Sequence, residues 1–258
     1  MSYPIFPDKH KLRSIVTPEG MVEFRRRQGG LKGLPAPHGA VLCLYNGVIR
    51  RLAWRYPARH VTAFQCDLYS LNQTRGRVAV LGNFGMGAPA VVALAEQMIA
   101  WDARRLVTLG LAGGLQPALK TGDILVGERA VRDEGTSYHY LAPAEQVEAS
   151  PALVASISRA LTAGGLSHAT GAVWSTDGAY RETREEAEFF RGRNVQAVDM
   201  ESAGLFALGQ ARGVETASIL VVGQNLLAAQ RVAPADMGAL HQRFKLLLKI
   251  LIEVLNGS

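Results

Sequence analysis

"RVAVLGNFGMGAPAVVALAEQMIAW", residues 77 to 101, is the stretch that decides how this chain is read. A short apolar run, "RVAVL", meets a glycine turn, "GNFGMGAP" (82 to 89), and a longer apolar run follows it. Strand, glycine corner and helix in that order form the building unit of an α/β domain. Three readings of the corner are open: a phosphate cradle, a dinucleotide fingerprint, or a tight turn. A dinucleotide site needs G-x-G-x-x-G after the strand and an acidic residue about 20 positions later. Here the spacing is G-x-x-G-x-G, and the next strand, "LVTL", runs into a second glycine corner, "GLAGG" (110 to 114), with no acid. The G-x-x-x-x-G-K-S/T of a triphosphate loop is missing as well. Glycine removes Cβ atoms, so backbone N–H groups can approach an anion or a sugar, and a following helix N-terminus adds a favourable field. One corner fits a simple turn equally well; two on consecutive strands point to a shared cleft.

Further apolar runs bounded by turns read as buried strands: "AVLCLY" (40 to 45), "DILVGERAV" (123 to 131), "AVWST" (172 to 176) and "TASILVVG" (216 to 223). Helical patterns alternate with them. Ser150 before Pro151 reads as an N-cap with proline at the first helical position, and Thr183 with Glu186 as a capping box. The final pattern, "LHQRFKLLLKILIEVL", leaves Gln242, Lys245, Lys249 and Glu253 as one polar stripe on an otherwise apolar helix. The expected fold is a single α/β domain, a central twisted mixed β-sheet flanked by helices, over residues 39–258. Residues 1–38, rich in Pro, Gly and Arg, read as an irregular N-terminal arm.

Composition narrows the class. The chain has 258 residues, 48% of them hydrophobic, enough for a sizeable core. Net charge is +6, yet charged residues are only 19% and the one dense basic run, Phe24 to Gln28, reads as a solvated face, so no nucleic-acid partner is expected. Cys43 and Cys66 stand far apart with no ligand spacing, so neither a disulfide framework nor a metal site is expected. The first residues lack the apolar core of a signal peptide and no stretch reaches the roughly 18 apolar residues that span a bilayer. A cytoplasmic chain with no membrane partner is the expectation.

"QAVDMESAGLFALGQARGV" (196 to 214) adds chemistry. Its acidic pair stands where an apolar strand gives way to a helix, which puts Glu201 at the carboxyl edge of the sheet, where ligands bind in open α/β sheets. A carboxylate there can accept two hydrogen bonds from a vicinal diol. It can equally cap the first helical turn, worth about 0.3 to 1 kcal/mol. Both readings fit.

Taken together, "GNFGMGAPA", "LGLAGGLQPALKTGDILV", "RDEGTSYHY", "STDGAYRE" and "VDMESAGLFALGQARGV" resemble the class I nucleoside phosphorylases, the family of uridine phosphorylase, hexameric purine nucleoside phosphorylase and the methylthioadenosine nucleosidases. The likeness covers about residues 40 to 226. It implies that Glu201 holds the ribose 2′- and 3′-hydroxyls, with Asp199 beside it and Met200 packed under the sugar. The backbone of Gly110, Leu111, Ala112 and Gly113 would border phosphate and ribose, and Tyr180 would lie near the base. Gly47, Arg51 and Gly85 would serve phosphate, with Arg50 the alternative register for Arg51. No metal or organic cofactor is implied; phosphate is the co-substrate, and the family assembles as dimers or trimers of dimers, so a homo-oligomer is expected.

The sequence departs from the family at several of these positions. Thr108 and Gln65 stand where arginines that contact phosphate are usual, and Leu111 where a threonine is common. Arg25 to Arg27 could supply the missing charge, in cis or across a subunit interface. Asn225 replaces the aspartate that serves a leaving purine, and an amide cannot act as a general acid near neutral pH. The Gln and Arg by which the family recognises uracil are missing, since their positions fall near Thr183 and Glu185. Asn225 and Gln224 remain the candidates to touch the base, with turn capping the other reading for Asn225. In "RDEGTSYHY", His139 reads either as an acid or base or as part of an interface or self-ordering loop. The expected function is phosphorolysis of a nucleoside to free base and ribose 1-phosphate. Hydrolysis by water and non-catalytic nucleoside binding are the alternatives.

Overall fold

In the computed structural model, which describes residues 4–50, 52–228 and 237–257, the opening stretch is strand, corner and helix. Strand β4 (Val78–Gly82) is buried at every position and leads through the turn into helix α4 (Ala88–Ala100). The same logic organises the rest. Strands β1 (Gly39–Cys43), β2 (Ala58–Ala63), β3 (Cys66–Leu71) and β5 (Arg105–Gly114) lie around β4. The remaining strands are β6 (Ile124–Asp133), β7 (Gln146–Glu148), β8 (Ala169–Thr176), β9 (Val195–Asp199) and β10 (Glu215–Asn225).

The sheet runs in the order β10-β6-β8-β9-β5-β1-β4-β3-β2, with β7 beside β6. A second pairing of β10 with β5 closes β10, β6, β8, β9 and β5 into a ring from which β1, β4, β3 and β2 extend. Parallel ladders join β4–β1–β5–β10 and β6–β8–β9, whereas β10–β6 and β5–β9 are antiparallel, so the sheet is mixed as expected. One edge of β5 changes partner along its length. It pairs with β1 up to Leu109 and with β9 from Gly113 onward. Between them this edge has no strand partner among the described residues, and the sheet splits there. A split of this kind at the carboxyl ends of parallel strands is where α/β sheets receive ligands.

Helices cover both faces. The short helices α2 (Asn46–Ile49) and α3 (Leu52–Arg55) follow β1. Helix α5 (Pro151–Ala163) packs with α8 (Met237–Asn256), and α4 packs with α7 (Ser202–Arg212); α6 (Arg184–Gly192) lies against β9. The α4–α7 contact is close because Gly204 has no side chain: a Cβ there would sit 2.7 Å from the Cβ of Ala88. That approach carries the start of α4 to the start of α7. On α8, Gln242, Leu246, Lys249 and Glu253 are exposed while Phe244, Leu247, Leu251 and Leu255 are buried, the expected stripe with a leucine in it.

Three local expectations are corrected. The arm is not irregular throughout, because Pro18–Arg27 is helix α1: Pro18 opens it and Thr17 caps it by accepting the Gly20 N–H. Ser150 stands at the N-cap of α5, but its hydroxyl accepts the Thr216 N–H at 2.8 Å and so ties the helix to β10 instead of capping it. Arg26 and Arg27 fold onto Glu23, and Arg25 lies over the Phe64 ring, so within one chain these arginines are engaged elsewhere than at the split. The capping box at Thr183 and Glu186 is formed. No helix among the described residues is long and apolar enough to cross a membrane.

Candidate active site

Glu201 ends the β9–α7 junction with its residue 6% exposed. Its Oε1 accepts the Gly87 N–H at 2.6 Å, and its Oε2 the Met200 N–H at 3.2 Å. The glycine corner of the opening stretch therefore holds a carboxylate of its own chain. Gly87 can do this because it is the N-cap of α4 at φ 91°, ψ 158°, a conformation essentially reserved for glycine. The helix N-terminus adds to the attraction. Met200 lies against the same turn, its Cε 4.0 Å from where a Gly87 Cβ would sit. Burial, and then the charge of Asp199, push the Glu201 carboxyl up to about 7 despite the two N–H donors.

The turn is anchored on its other side too. Asn83, at φ 56°, donates its N–H to Asn46 Oδ1 at 3.3 Å and its side-chain amide to Asp67. The other oxygen of Asp67 lies 2.9 Å from His60 Nε2, which lowers the Asp67 proton affinity. Gly85, at φ 91°, has open space where a side chain would be. Among the described residues, Gly85 has no protein atom beside it and the β5 edge from Gly110 to Ala112 has no strand partner, with the Leu44 side chain over Gly110. Leu111 is 44% exposed there, and Gln224, paired through its backbone with Gly113, is exposed at the same mouth.

Other expected site residues are differently occupied. Asp199 is buried and accepts from Ser175 Oγ (2.6 Å), Ser202 Oγ (2.6 Å) and Ser202 N (3.0 Å), so it anchors α7 and does not face a ligand. The Asn225 amide gives both hydrogens to the carbonyls of Gln116 (2.8 Å) and Leu119 (3.1 Å) and accepts from Leu227 N. It caps a turn and has no hydrogen left for a leaving base. At Gly113 a Cβ would come within 2.8 Å of Leu226 and 3.0 Å of Val198, so its bareness serves packing. The ring of Tyr45 covers Gly47 in the same way, and Leu44 lies over Gly110. Tyr180 is fully exposed on the loop before α6. Arg51 lies outside the described residues; Arg50 is exposed at the end of α2. Thr108 is buried with its hydroxyl bonded to Ser218, and Thr183 is committed to its capping box.

"RDEGTSYHY" orders itself. Arg132 donates to Ser137 Oγ and the Ala142 carbonyl, Glu134 accepts the N–H groups of Thr136 and Ser137, and Asp177 accepts that of Gly135. Beside this loop a groove of about 1260 Å³ runs along the outer side of α4, with Pro89, Glu96, Asp177 and Arg212 in its walls. Residues missed from sequence are Gly87 and the buried hydroxyls of Ser175, Ser202 and Ser218. Ser and Thr placed inside apolar strands, in "WST", "TASIL" and "LVTL", were the available signal.

The family model for the phosphorylase superfamily matches residues 55–254. The chain belongs to the phosphorylase superfamily. Among curated relatives, it is 32% identical over 160 residues to a uridine phosphorylase of Treponema pallidum, covering 57% of this chain and 61% of that protein. It is 31% identical over 158 residues to a guanosine phosphorylase of Halorubrum lacusprofundi, covering 59% and 64%. A DeoD-type purine nucleoside phosphorylase of Caldanaerobacter subterraneus matches at 28% over 187 residues, 69% of this chain and 76% of that one. The match thus spans less than two thirds of the first two relatives. In fold, this superfamily member is similar to uridine phosphorylase of Vibrio fischeri, with TM-score 0.76, 23% identity, and 88% and 93% of the two chains covered. It is also similar to AMP nucleosidase of Bacteroides thetaiotaomicron, with TM-score 0.74, 22% identity, and 92% and 97% covered.

Proposed function

We propose that this protein cleaves the N-glycosidic bond of a nucleoside with phosphate, giving free base and ribose 1-phosphate. One observation carries the reading: Glu201 is buried at the sheet split with each carboxyl oxygen holding a single backbone N–H. A carboxylate offers about four lone-pair sites, so two oxygens pointing at a vicinal diol keep an acceptor for each hydroxyl. Bond cleavage passes through an oxocarbenium-like ribosyl group. An enzyme gains by fixing the diol, placing the nucleophile under the anomeric carbon and stabilising charge on the departing base. The open space at Gly85 and the unpaired β5 edge at 110–112 support a place for an anionic nucleophile beside the sugar. That the uridine, guanosine and purine nucleoside relatives are phosphorylases supports phosphate as acceptor.

A second reading, hydrolysis, is favoured by Thr108, whose hydroxyl is turned into the core where an arginine would have met phosphate. Base release from purine and pyrimidine nucleosides, with phosphate added to rigorously dialysed enzyme, separates the two. Phosphate-dependent release supports phosphorolysis; equal rates with and without it remove that reading, and no release in either removes catalysis. The N-terminal segment leaves Ile5, Ile15 and Val16 exposed, which supports assembly as a homo-oligomer; light scattering at a single monomer mass counts against it.

A further inference from the structure

We propose that Asp199 is a positioning residue for Glu201, held by a buried chain of hydroxyls that begins at Thr108 in the middle of the sheet. This rests on the reading of Glu201 as the diol carboxylate. Thr108 Oγ1 donates to Ser218 Oγ at 3.0 Å, Ser218 and Ser202 Oγ lie 2.9 Å apart, and Ser202 Oγ meets Asp199 Oδ2 at 2.6 Å. Ser202 has one hydroxyl hydrogen and gives it to the carboxylate, so Ser218 donates to Ser202 and the chain has one direction, toward Asp199. All four side chains are buried.

Ser175 completes the anchor. Its hydroxyl donates to Asp199 Oδ1 at 2.6 Å and accepts the Ala203 N–H at 3.0 Å. The N–H groups of Glu201 and Ser202 also point at Asp199. Three consecutive backbone N–H groups, 201 to 203, are therefore tied directly or through Ser175 to one carboxylate. Rotating Asp199 toward a sugar would strand these donors in the core, each at a desolvation cost of about 1 to 3 kcal/mol. These bonds hold the first turn of α7, and with it the side chain of Glu201 that it aims at Gly87.

Asp199 also acts through charge. Among the described residues it is the charged group that bears on Glu201. The β4–α4 turn and β9 contribute only the N–H groups of Gly87 and Met200 to Glu201, while β8 and α7 contribute the hydroxyls of Ser175 and Ser202 to Asp199, with Ser218 of β10 and Thr108 of β5 behind Ser202. The donors around Asp199 oppose the rise in proton affinity that its burial causes, and the charge it carries raises the proton affinity of Glu201.

The test reads Glu201 directly, by carboxyl-carbon NMR titration in full-length wild type, Asp199→Asn and Ser202→Ala, with the signal assigned by Glu201→Gln; base release is followed in the same samples. Removing the charge in Asp199→Asn lowers the proton affinity of Glu201 by about tenfold or more, one unit of pH. Ser202→Ala removes one donor and no charge, so Asp199 takes a proton more readily and Glu201 moves the same way by a smaller factor. Should Asp199→Asn fail to fold, Ser202→Ala decides. A Glu201 titration unmoved in the variants that fold overturns the inference, whether or not the protein turns over a nucleoside. A titration that moves in a protein that releases no base supports the coupling and removes the proposed function instead.

Discussion

The raised proton affinity of Glu201 makes stability depend on pH in a defined direction. In the unfolded chain this carboxyl titrates near its ordinary 4.5; in the folded protein it is pushed up to about 7. Between those values the folded state keeps a proton that the unfolded state has lost. The stabilisation is therefore fully present below about pH 4.5 and is lost as pH rises through 7. The interval corresponds to about 3 kcal/mol at most. Glu201→Gln removes the titration. Its amide also costs a bond, because Met200 N–H faces an NH₂ group, but that cost does not vary with pH. Asp199, whose proton affinity burial also raises, contributes a slope of the same sign, and because the two carboxyls interact the difference reads Glu201 together with its coupling to Asp199. Urea unfolding of both proteins across about pH 4 to 8 supplies the curve. Wild type should fall relative to Glu201→Gln by up to about 3 kcal/mol over the interval. Parallel stability curves would refute the placement of this carboxyl in a dry, carboxylate-flanked position.

Gly87→Ala should cost about 1 to 3 kcal/mol, through a backbone conformation closed to alanine, and should raise the Michaelis constant for nucleoside as its N–H swings from Glu201. Gly85→Ala shares the positive φ and puts a Cβ into the open space proposed for the nucleophile, so unfolding should show its cost and the Michaelis constant for phosphate should rise more than that for nucleoside. Gly113→Ala should lose about 1 to 3 kcal/mol by overpacking against Leu226 and Val198, visible as a lower melting temperature. Asn225→Asp should not create a general acid: the carboxylate would face the Gln116 and Leu119 carbonyls, costing about 1 to 3 kcal/mol, with the pH–rate profile gaining no new limb.

The strands and the first glycine corner were legible because they are largely apolar runs bounded by turn residues, but the second expected corner, 110 to 114, is not a turn: it is the end of strand β5, paired with β10. The β2–β3 hairpin was not. Its turn places Phe64 and Gln65 at φ 56° and 60°, where hairpins ordinarily carry Asn or Gly, so the usual turn signal is missing. Helix α1 hid behind Gly20 and the arginine run, although Thr17-Pro18 is a proper helix start. For the site, Glu201 could be placed from its position at a strand end. Its partner Gly87 lies 114 residues away in sequence, a pairing only the α4–α7 contact at Gly204 creates. Asp199 was grouped with Glu201 by adjacency, yet strand and helix geometry send the two carboxyls to different surroundings. Asn225 failed for the same reason: its amide is claimed by carbonyls more than a hundred positions earlier.

The central claim is that Glu201 grips the sugar diol. Its most direct test is kcat/KM for a ribonucleoside and for the matching 2′,3′-dideoxynucleoside, measured in wild type and in Glu201→Ala. Wild type should prefer the ribonucleoside by about hundredfold or more, as for a site built to bond two hydroxyls, and Glu201→Ala should lose most of that preference. An equal preference in both proteins would contradict the claim.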